Sequence, residues 1–374
     1  MTTEYHADTD GTHTHRLEIA THWQLMWWRY RKHVMAMSGT VVIGIFLIIS
    51  LFAEFFAPYG SHTRNARYLQ GPPMGVHLFD KDGNFHLRPF VYERINKRDP
   101  VTYRLRAVVD TDTTIPLRFF TRGETYRFWG LFETNVHLFG AEQGYVNLFG
   151  TDQLGRDVFS RLMYATRTSL SVGAIGVFLA FTMGVLMGGI AGYFGGIVDE
   201  IIMRLIEFIR SIPTLPLWLA LAAALPRDWS ALKVYLAVTV ILASIGWTHL
   251  ARRVRSKLLS LREEDFILSA RLSGCSGARI IGRHMLPSFM SYLIVDLSVS
   301  FPYIILAETS LSFLGLGLRE PIVSWGVLLY SAQNIRTFME MPWLLISGLF
   351  VIIAGLAFNF MGDGLRDAAD PFSV

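Results

Sequence analysis

Two carboxylates, Asp296 and Glu308, lie inside a long apolar segment at residues 289–316. An ionisable side chain within a membrane-spanning segment is costly to bury, which makes it a candidate for a substrate or ion pathway. The structural alternative is a hydrogen bond to a neighbouring helix. We therefore take Asp296 and Glu308, together with nearby Ser312, as candidate translocation-pathway residues. Pro302 lies between the two carboxylates and is expected to kink the helix, because proline removes a backbone donor.

A basic segment, residues 263–287, separates two apolar runs and is predicted to form a helical hairpin. Glu264 and Asp265 lie at the start of the first helix, where the helix dipole favours negative charge. Gly274 ends that helix, and Pro287 follows the second one. Two interpretations fit these residues. The hairpin is either a rigid knob that docks on a partner protein and moves two membrane helices, or a basic loop that lies on anionic lipid.

Several kinds of chemistry are excluded by the sequence. None of the five lysines follows a glycine, so a phosphate-binding loop of the GxxxxGK[ST] type is absent. The motifs HExxH and GxSxG are also absent, and no Cys and His residues have metal-ligand spacing. The single cysteine, Cys275, excludes a disulfide within the chain. We predict no catalytic residue, metal site or cofactor on this chain, and any ATP is expected to bind another subunit.

Membrane helices are the elements that must hold these residues. The chain is 52% hydrophobic and 17% charged, whereas a soluble domain carries about a quarter charged residues. Its apolar runs of about 20 residues are long enough to cross a bilayer core of about 30 Å. Six spans are predicted, at residues 34–57, 168–192, 202–225, 232–251, 289–316 and 343–361.

A long segment without a predicted span, residues 58–150, is too long for a simple connection. We predict a small β-rich extracytoplasmic insert here. Residues 76–92 are typical of two strands around an Asp-Gly turn, and residues 103–112 and 114–120 are also strand-like. The acidic segment 80–84 resembles the start of a calcium loop, but the Gly and Glu that such a loop requires are missing, so we interpret it as a turn.

Basic residues indicate the orientation. The predicted loop 252–288 carries eight arginines and lysines, which are enriched on the cytoplasmic side of membrane proteins. This places in the cytoplasm both the tail and amphipathic lead-in at 1–33 and the C-terminal tail at 362–374. The first span is expected to be retained, because 1–33 lacks the pattern of a cleavable signal peptide. Nucleic-acid binding is not indicated, since the net charge is only +4 and the arginines cluster at span ends.

Glycines recur at four-residue spacing in one apolar run, at Gly184, Gly188 and Gly192. Small residues at this spacing let two helices approach closely. The pattern predicts a tight helix interface, either within the chain or with a partner.

The basic hairpin resembles the cytoplasmic coupling motif of ABC-importer permeases. That motif runs Glu-Ala-Ala, three residues, Gly, nine residues, then a hydrophobic residue, any residue, Leu and Pro. Ser269 and Ala270 stand at the alanine positions, and Leu268 stands where the family has glutamate. In such families the glutamate helps to hold the loop against an ATPase subunit. Two alternatives follow here: Asp265, Glu264 or the arginines substitute for it, or the docking is weaker. The residues expected to couple to the ATPase are Glu264, Asp265, Ser269, Ala270, Gly274, Arg279, Leu286 and Pro287.

Three further segments resemble the dipeptide, oligopeptide and nickel-type permeases. Residues 149–173 resemble the segment before the second span, with Phe149 in place of the family's leucine. The sequences ETSLSFLGLG at 308–317 and SWGVLL at 324–329 resemble the end of the fifth span, and GDGLRDAADP at 362–371 resembles the C-terminal signature. The chain is identified as similar to the second, "C" type, permease subunit of such an importer.

This resemblance implies an all-α polytopic fold of the type I ABC importer, with six transmembrane helices, in the bacterial inner membrane. The implied partners are a second homologous permease, two ATPase subunits that bind ATP and Mg²⁺, an extracytoplasmic substrate-binding protein and the lipid bilayer. Peptides are the expected cargo, with oligosaccharides or another small solute as alternatives. Two other classes stay open. An ion-coupled secondary transporter would use Asp296 and Glu308, and a membrane sensor would bind its ligand through the insert.

Overall fold

The computed structural model describes residues 22–98 and 105–369. Within these ranges, five helices are long and apolar enough to cross a membrane. They are α2 (Val34–Leu51), α4 (Val158–Phe194), α7 (Ala231–Leu261), α11 (Met290–Phe313) and α14 (Ile346–Ala369), the last preceded by a 3₁₀ turn at Pro342–Leu345.

Shorter helices connect or extend these five. They are α1 (His22–Lys32), α3 (Ala53–Phe56), α5 (Gly196–Ser211), α6 (Thr214–Ala223), α8 (Asp265–Leu272), α9 (Gly277–Arg279), α10 (Leu286–Ser288), α12 (Trp325–Ser331) and α13 (Ile335–Glu340).

The third predicted span, residues 202–225, is not one straight helix. Helices α5 and α6 meet at an angle of 85° instead. The break falls at Ile212 and Pro213, where the backbone turns extended. Proline has no N–H to continue the helical hydrogen bonds and disfavours helical geometry in the residue before it. The prediction was wrong in treating this segment as uninterrupted.

Glycine spacing fixes how α4 packs on α7. A β-carbon on Gly184 would lie 2.8 Å from the Leu250 β-carbon, and one on Gly188 would lie 2.4 Å from the carbonyl oxygen of Ala251. A β-carbon on Gly192 would likewise lie 2.8 Å from that of Leu258. The predicted tight interface therefore lies within the chain.

The order of these contacts also gives the direction of the helices. Later glycines on α4 meet later residues on α7, so the two helices run parallel. The bent pair α5–α6 must then return the chain from one end of the membrane body to the other. With this bent pair counted as one broken passage, the described residues cross the membrane body six times.

Helix ends differ from the predicted spans. Helix α4 begins at Val158, ten residues before the predicted start, because Asp157 caps it by accepting a hydrogen bond from the Ser160 amide at 2.7 Å. Helix α14 continues to Ala369, so the part of the predicted tail 362–374 that the structure describes is helical. Residues 1–21 of the predicted N-terminal tail, and 370–374, lie outside the described ranges.

The insert between α3 and α4 is β-rich, as predicted. Strands β1 (His77–Phe79), β2 (Phe85–Arg98) and β3 (Leu105–Pro116) form one antiparallel sheet, and β4 (Arg118–Phe128) pairs with β5 (Phe132–Gly140) in a second. The predicted turn at 80–84 joins β1 to β2. A small core lies beneath the first sheet, built from Tyr68, Met74, Val91, Ile115 and Val146.

The insert and the basic hairpin lie at opposite ends of the membrane body. The insert precedes the start of α4, whereas the hairpin follows the end of α7, and α4 and α7 run parallel. We call these the insert end and the hairpin end.

Candidate functional site: the basic hairpin and the polar groups of the membrane body

The basic hairpin has the predicted two-helix form. Helix α8 ends at Leu272, and Gly274 follows with a φ of +75°, in the left-handed region that favours glycine. The Gly274 amide donates to the Arg271 carbonyl at 2.9 Å, and the Cys275 amide donates to the Ala270 carbonyl at 3.1 Å. These bonds satisfy carbonyls that the helix end leaves free. The turn is thus closed by its own backbone.

The second arm differs in detail from the prediction. It begins with α9, passes through a π-helical turn at Ile280–Met285 and ends in α10. Pro287 lies inside α10, not after the arm. A π turn is a single wide turn that often occurs at functional positions in helices. The arm is helical from Gly277 to Ser288, so it can transmit movement along its length.

Buried apolar residues join the hairpin to the membrane helices. Ile267 of α8 and both Ile280 and Met285 of the second arm are fully buried. They pack with Leu258 of α7 and Leu293 of α11 in one cluster. Burying a side chain of this size stabilises a fold by about 1.5–3 kcal/mol. The hairpin is therefore fixed to α7 and α11 as part of the same body.

The predicted coupling residues lie on the surface of this hairpin. Glu264, Asp265, Ser269, Gly274, Arg279 and Pro287 are exposed, and Ala270 and Leu286 are half-buried. They are therefore available to a partner.

Three apolar residues of α8 are also exposed on the hairpin, and two of them, Phe266 and Leu272, were not predicted. Phe266 and Leu268 are exposed, and Leu272 is 91% exposed. Phe266 and Leu268 lie on either side of buried Ile267. The apolar run FIL at 266–268 indicates that some of these side chains are exposed, because a short helix cannot bury three consecutive residues. An exposed apolar set beside acidic residues is typical of a protein-binding surface.

Asp296 lies at the edge of a cavity near the hairpin end. Its carboxylate pairs with the Arg253 guanidinium, which joins α11 to α7. The Asp296 side chain is buried, whereas that of Arg253 is half exposed. The cavity has a volume of about 1060 Å³ and is partly open to the surroundings. Its walls come from α7, α11 and α14, and its polar lining includes Lys257, Ser291, Asp363 and Arg366.

Glu308 has a different environment from the one predicted. It is fully buried inside the subunit. Its carboxylate accepts hydrogen bonds from the hydroxyls of Ser312 and Ser324, each at 2.8 Å, and lies 3.4 Å from the hydroxyl of Ser169. Among the described residues no Lys, Arg or His forms an ion pair with it. The group joins α4, α11 and the start of α12.

Ser312 belongs to this same buried cluster. Besides donating to Glu308, its hydroxyl accepts a hydrogen bond from the Leu318 amide at 2.9 Å. Two of the three candidate pathway residues, Glu308 and Ser312, therefore lie in the protein interior in this conformation, and only Asp296 borders an open cavity.

An ionic network at the insert end was not predicted. Asp152 accepts from Arg156 at 2.7 Å and from Arg161 at 2.5 Å, and both arginines also bind Glu320 at 2.8 Å. Asp152 and the two arginines are buried. The hydrogen bond from Arg156 lowers the pKa of Glu320 to about 2, with a further contribution from the nearby charge of Arg161. The network ties the start of α4 to the segment between α11 and α12.

A multi-pass helical body with a short helical hairpin fixed to two of its long helices is consistent with a membrane permease. The comparisons agree. This chain belongs to the family of binding-protein-dependent transport system inner membrane components, which matches residues 184–372. Residues 21–73 match a second family, the N-terminal TM domain of oligopeptide transport permease C. The resemblance inferred from the coupling motif and the six-passage fold class are thereby confirmed.

Individual relatives cover different shares of the chain. The dipeptide transport system permease protein DppC of Bacillus subtilis is 39% identical over 60% of this chain and 68% of its own length. The oligopeptide transport system permease protein OppC of the same organism is 27% identical over 93% of this chain and 89% of its own length. The oligopeptide permease OppC of Haemophilus influenzae is 38% identical over 61% of this chain and 71% of its own length.

Among solved structures, an inward-facing form of the MetNI methionine ABC transporter aligns with 55% of this chain and 95% of its own, at 20% identity and a TM-score of 0.43.

Proposed function

We propose that this chain is one of two homologous permease subunits of an ATP-driven peptide importer in the bacterial inner membrane. The observation that carries the proposal is the hairpin at 263–288 in a chain of this family. It is anchored to α7 and α11 through Ile267, Ile280 and Met285, and it presents Phe266 and Leu272 outward. In this proposal the hairpin end and both chain termini lie in the cytoplasm.

The hairpin docks on an ATPase subunit and receives its movement. ATP and Mg²⁺ bind the two ATPase subunits, and this chain contributes no catalytic group. The exposed apolar residues of α8 enter a groove on the ATPase, while Glu264, Asp265 and Arg279 supply charge-matched contacts around it. Because the inner face of the hairpin is packed against α7 and α11, displacement of α8 moves those helices as well.

The cavity beside Asp296 forms part of the translocation path. The second permease covers its open side, so each subunit supplies half of the wall. An extracytoplasmic binding protein delivers cargo at the insert end. The Arg253–Asp296 pair lies between two helices that both contact the hairpin, so movement of the hairpin changes the distance between the two charges. Glu308 and Ser312 hold the wall in place from behind.

Peptides are the proposed cargo, because the relatives that match this chain are named as dipeptide and oligopeptide permeases. Membrane vesicles that hold the complete transporter should take up labelled di- and oligopeptides when ATP is supplied inside. Uptake of oligosaccharides without peptides would overturn the cargo assignment and leave the ATP-driven mechanism intact.

Co-purification in mild detergent tests the subunit assignment. The expected result is a complex that contains a second permease and ATPase subunits, identified by mass spectrometry. A chain that purifies alone, and transports cargo with only an ion gradient, would overturn the proposal in favour of a secondary transporter.

A matched pair of glycine substitutions tests the hairpin. Gly274→Val places a β-branched residue at a φ of +75° and should distort the turn. Gly282→Val is the control, because Gly282 is helical and no atom lies within 4 Å of an added β-carbon. We expect Gly274→Val to reach the membrane but to lose cargo-stimulated ATPase activity, whereas Gly282→Val keeps it. Equal activity of the two variants would contradict the coupling role.

A further inference from the structure

The hairpin formed by β4 and β5 ends in an apolar tip at the edge of the membrane body. Its tip residues are Phe128, Trp129, Gly130, Leu131 and Phe132. Trp129, Leu131 and Phe132 are exposed, and Leu131 is 81% exposed. Large apolar groups gathered at the tip of a hairpin need a partner that shields them from water.

Contacts with the first span place this tip at a defined depth. The indole N–H of Trp129 donates to the carbonyl of Leu51 at 2.9 Å, and the rings of Phe128 and Phe52 stack at 5.6 Å. Leu51 is the last residue of α2, whose 18 residues make a helix of about 27 Å, close to the thickness of a bilayer core. The tip therefore lies level with one boundary of the hydrocarbon region.

Charged groups mark the same boundary. Arg167 of α4 pairs with Glu54, donates to the Ser50 carbonyl at 2.7 Å and lies 4.7 Å from the centre of the Trp129 ring. On the hairpin, the apolar tip gives way at once to an exposed Arg127–Glu133 pair at 2.8 Å. This change from apolar to charged residues along the strand matches the change from acyl chain to headgroup in a lipid leaflet.

Contacts with neighbouring residues hold the tip in a defined position. Trp129 has a φ of +50°, a conformation that is costly for a bulky side chain and persists only when contacts fix it. Its bond to Leu51 and the stacked Arg167 supply those contacts. Nearer the strand middle, buried His137 lies 2.6 Å from the Ala57 carbonyl and 2.9 Å from that of Glu124. The hairpin is thus tied to the end of the first span at two levels.

We propose that this tip inserts into the lipid leaflet at the Leu51 end of α2 and anchors the insert to the bilayer. The apolar window of α2 is only 22% buried within the chain, the smallest share among the five long helices of the described residues, so most of this helix is left for lipid. The tip lies at the Leu51 end of α2 and extends its lipid-exposed surface. With the orientation proposed above, the leaflet is the outer one, and Trp129 has the interfacial position that tryptophan prefers.

Lipid-dependent quenching of a fluorescent label tests the proposal. Cys275 is replaced by serine, and single cysteines are introduced by Leu131→Cys, Phe52→Cys and Asp82→Cys in the full-length chain. Each is labelled with an environment-sensitive fluorophore and reconstituted into phosphatidylcholine–phosphatidylglycerol vesicles that contain lipids spin-labelled near the headgroup. Phe52 is the membrane reference, and Asp82, in the turn between β1 and β2, is the aqueous reference.

The expected result is a blue-shifted label at position 131 that loses as much emission as the label at 52, with no loss at 82. Quenching at 131 no greater than at 82 would overturn the proposal. A label that is shielded from aqueous reagents but not quenched by lipid would also overturn it and assign the tip to a protein partner. Neither readout depends on transport, so failure here is separate from failure of the importer assignment.

A second measurement uses the unmodified chain. Lipids with a photoreactive diazirine near the headgroup should form adducts on the peptide that contains residues 128–132 and not on the one that contains residues 80–84. Absence of adducts at the tip, with adducts present on α2, would contradict membrane insertion.

Discussion

Helix α11 carries two buried carboxylates in opposite surroundings. Glu308 is enclosed by serine hydroxyls from α4, α11 and the start of α12, whereas Asp296 pairs with an arginine that reaches an open cavity. The residue type is almost the same and the helix is the same. The two carboxylates differ in their partners. Glu308 is bound by serine hydroxyls that are enclosed with it, whereas Asp296 is bound by a guanidinium that water can solvate after the pair separates.

This contrast separates a structural carboxylate from one that is able to respond to movement. A hydrogen-bonded cluster with no access to water is costly to open, because each group would lose its partner. An ion pair with one half-exposed member separates more cheaply, since the exposed charge gains water as it leaves. Glu308 therefore suits a fixed joint between helices, and Asp296 suits a contact that changes with the transport state.

Removal of the enclosed carboxylate should have the largest effect. Glu308→Ala leaves a cavity and unpaired hydroxyls, and we expect it to lower the free energy of unfolding by about 3 kcal/mol. Glu308→Gln is the matched control, since it keeps the size of the side chain and one acceptor oxygen for the Ser312 and Ser324 hydroxyls. Thermal unfolding in detergent measures both. A Glu308→Ala chain as stable as the glutamine variant, yet inactive, would return this residue to the pathway.

The ion pair should respond asymmetrically to loss of either partner. Arg253→Gln leaves the Asp296 carboxylate buried without its partner, which costs about 2 kcal/mol. Asp296→Asn leaves a half-exposed arginine that reaches water, which costs less than about 1 kcal/mol. The double variant Arg253→Gln/Asp296→Asn should be more stable than Arg253→Gln alone. Equal costs for the two single substitutions would show that both side chains are equally enclosed.

One hydroxyl of the Glu308 cluster can be tested separately. The Ser324 hydroxyl donates to Glu308 and accepts from the Val327 amide at 3.2 Å, which caps α12. Loss of both bonds in Ser324→Ala should cost about 1 kcal/mol. Ser331→Ala, at the other end of α12, is the control, because that hydroxyl makes only a 3.5 Å contact with the Val327 carbonyl. Unfolding midpoints that do not differ would remove Ser324 from the joint.

A third carboxylate, Glu320, extends the comparison to a site outside the membrane. The hydrogen bond from Arg156 lowers the pKa of Glu320 from 4.5 to about 2. Because the folded-state pKa is depressed, the stabilisation is complete above the unfolded value and is lost as the pH falls from about 4.5 towards 2. The effect should be small, since the Glu320 side chain is 42% exposed and solvent screens it.

Thermal unfolding between pH 6 and pH 3 measures the loss of stability that accompanies protonation of Glu320. The wild-type chain should lose stability on acidification more steeply than Glu320→Gln, which has no carboxyl group to titrate. Parallel curves for the two chains would show that ionisation of Glu320 contributes nothing to stability in this range.

The membrane spans could be predicted because their signal is local. A run of about 20 apolar residues is sufficient to identify a bilayer-crossing helix, and five such helices are present among the described residues. The 85° bend was missed although Pro213 was visible, because the apolar run continues through the break and hydropathy averages across it. The Asp-Gly turn fixed β1 and β2 for the same local reason.

Polar partners were harder to predict because they are distant in the sequence. Asp152 and Arg156 lie four residues apart, but Glu320 lies 164 residues beyond Arg156. The hydroxyls around Glu308 likewise come from three segments. The hairpin surface was predicted from a motif with fixed spacing, whereas exposed Leu272 was not, because sequence alone does not show which side of a short helix is covered.

Helix α7 has a mechanical consequence. It is unbroken over 31 residues, a length of about 46 Å, so it extends beyond a bilayer core of about 30 Å. The basic hairpin is attached where it ends. A rigid rod of this length works as a lever: a tilt of about 10° at one end displaces the other by about 8 Å, given 1.5 Å of rise per residue. Helix α4 packs closely on α7 through its glycines near the same end. This contact stiffens α7 where the hairpin applies force to it.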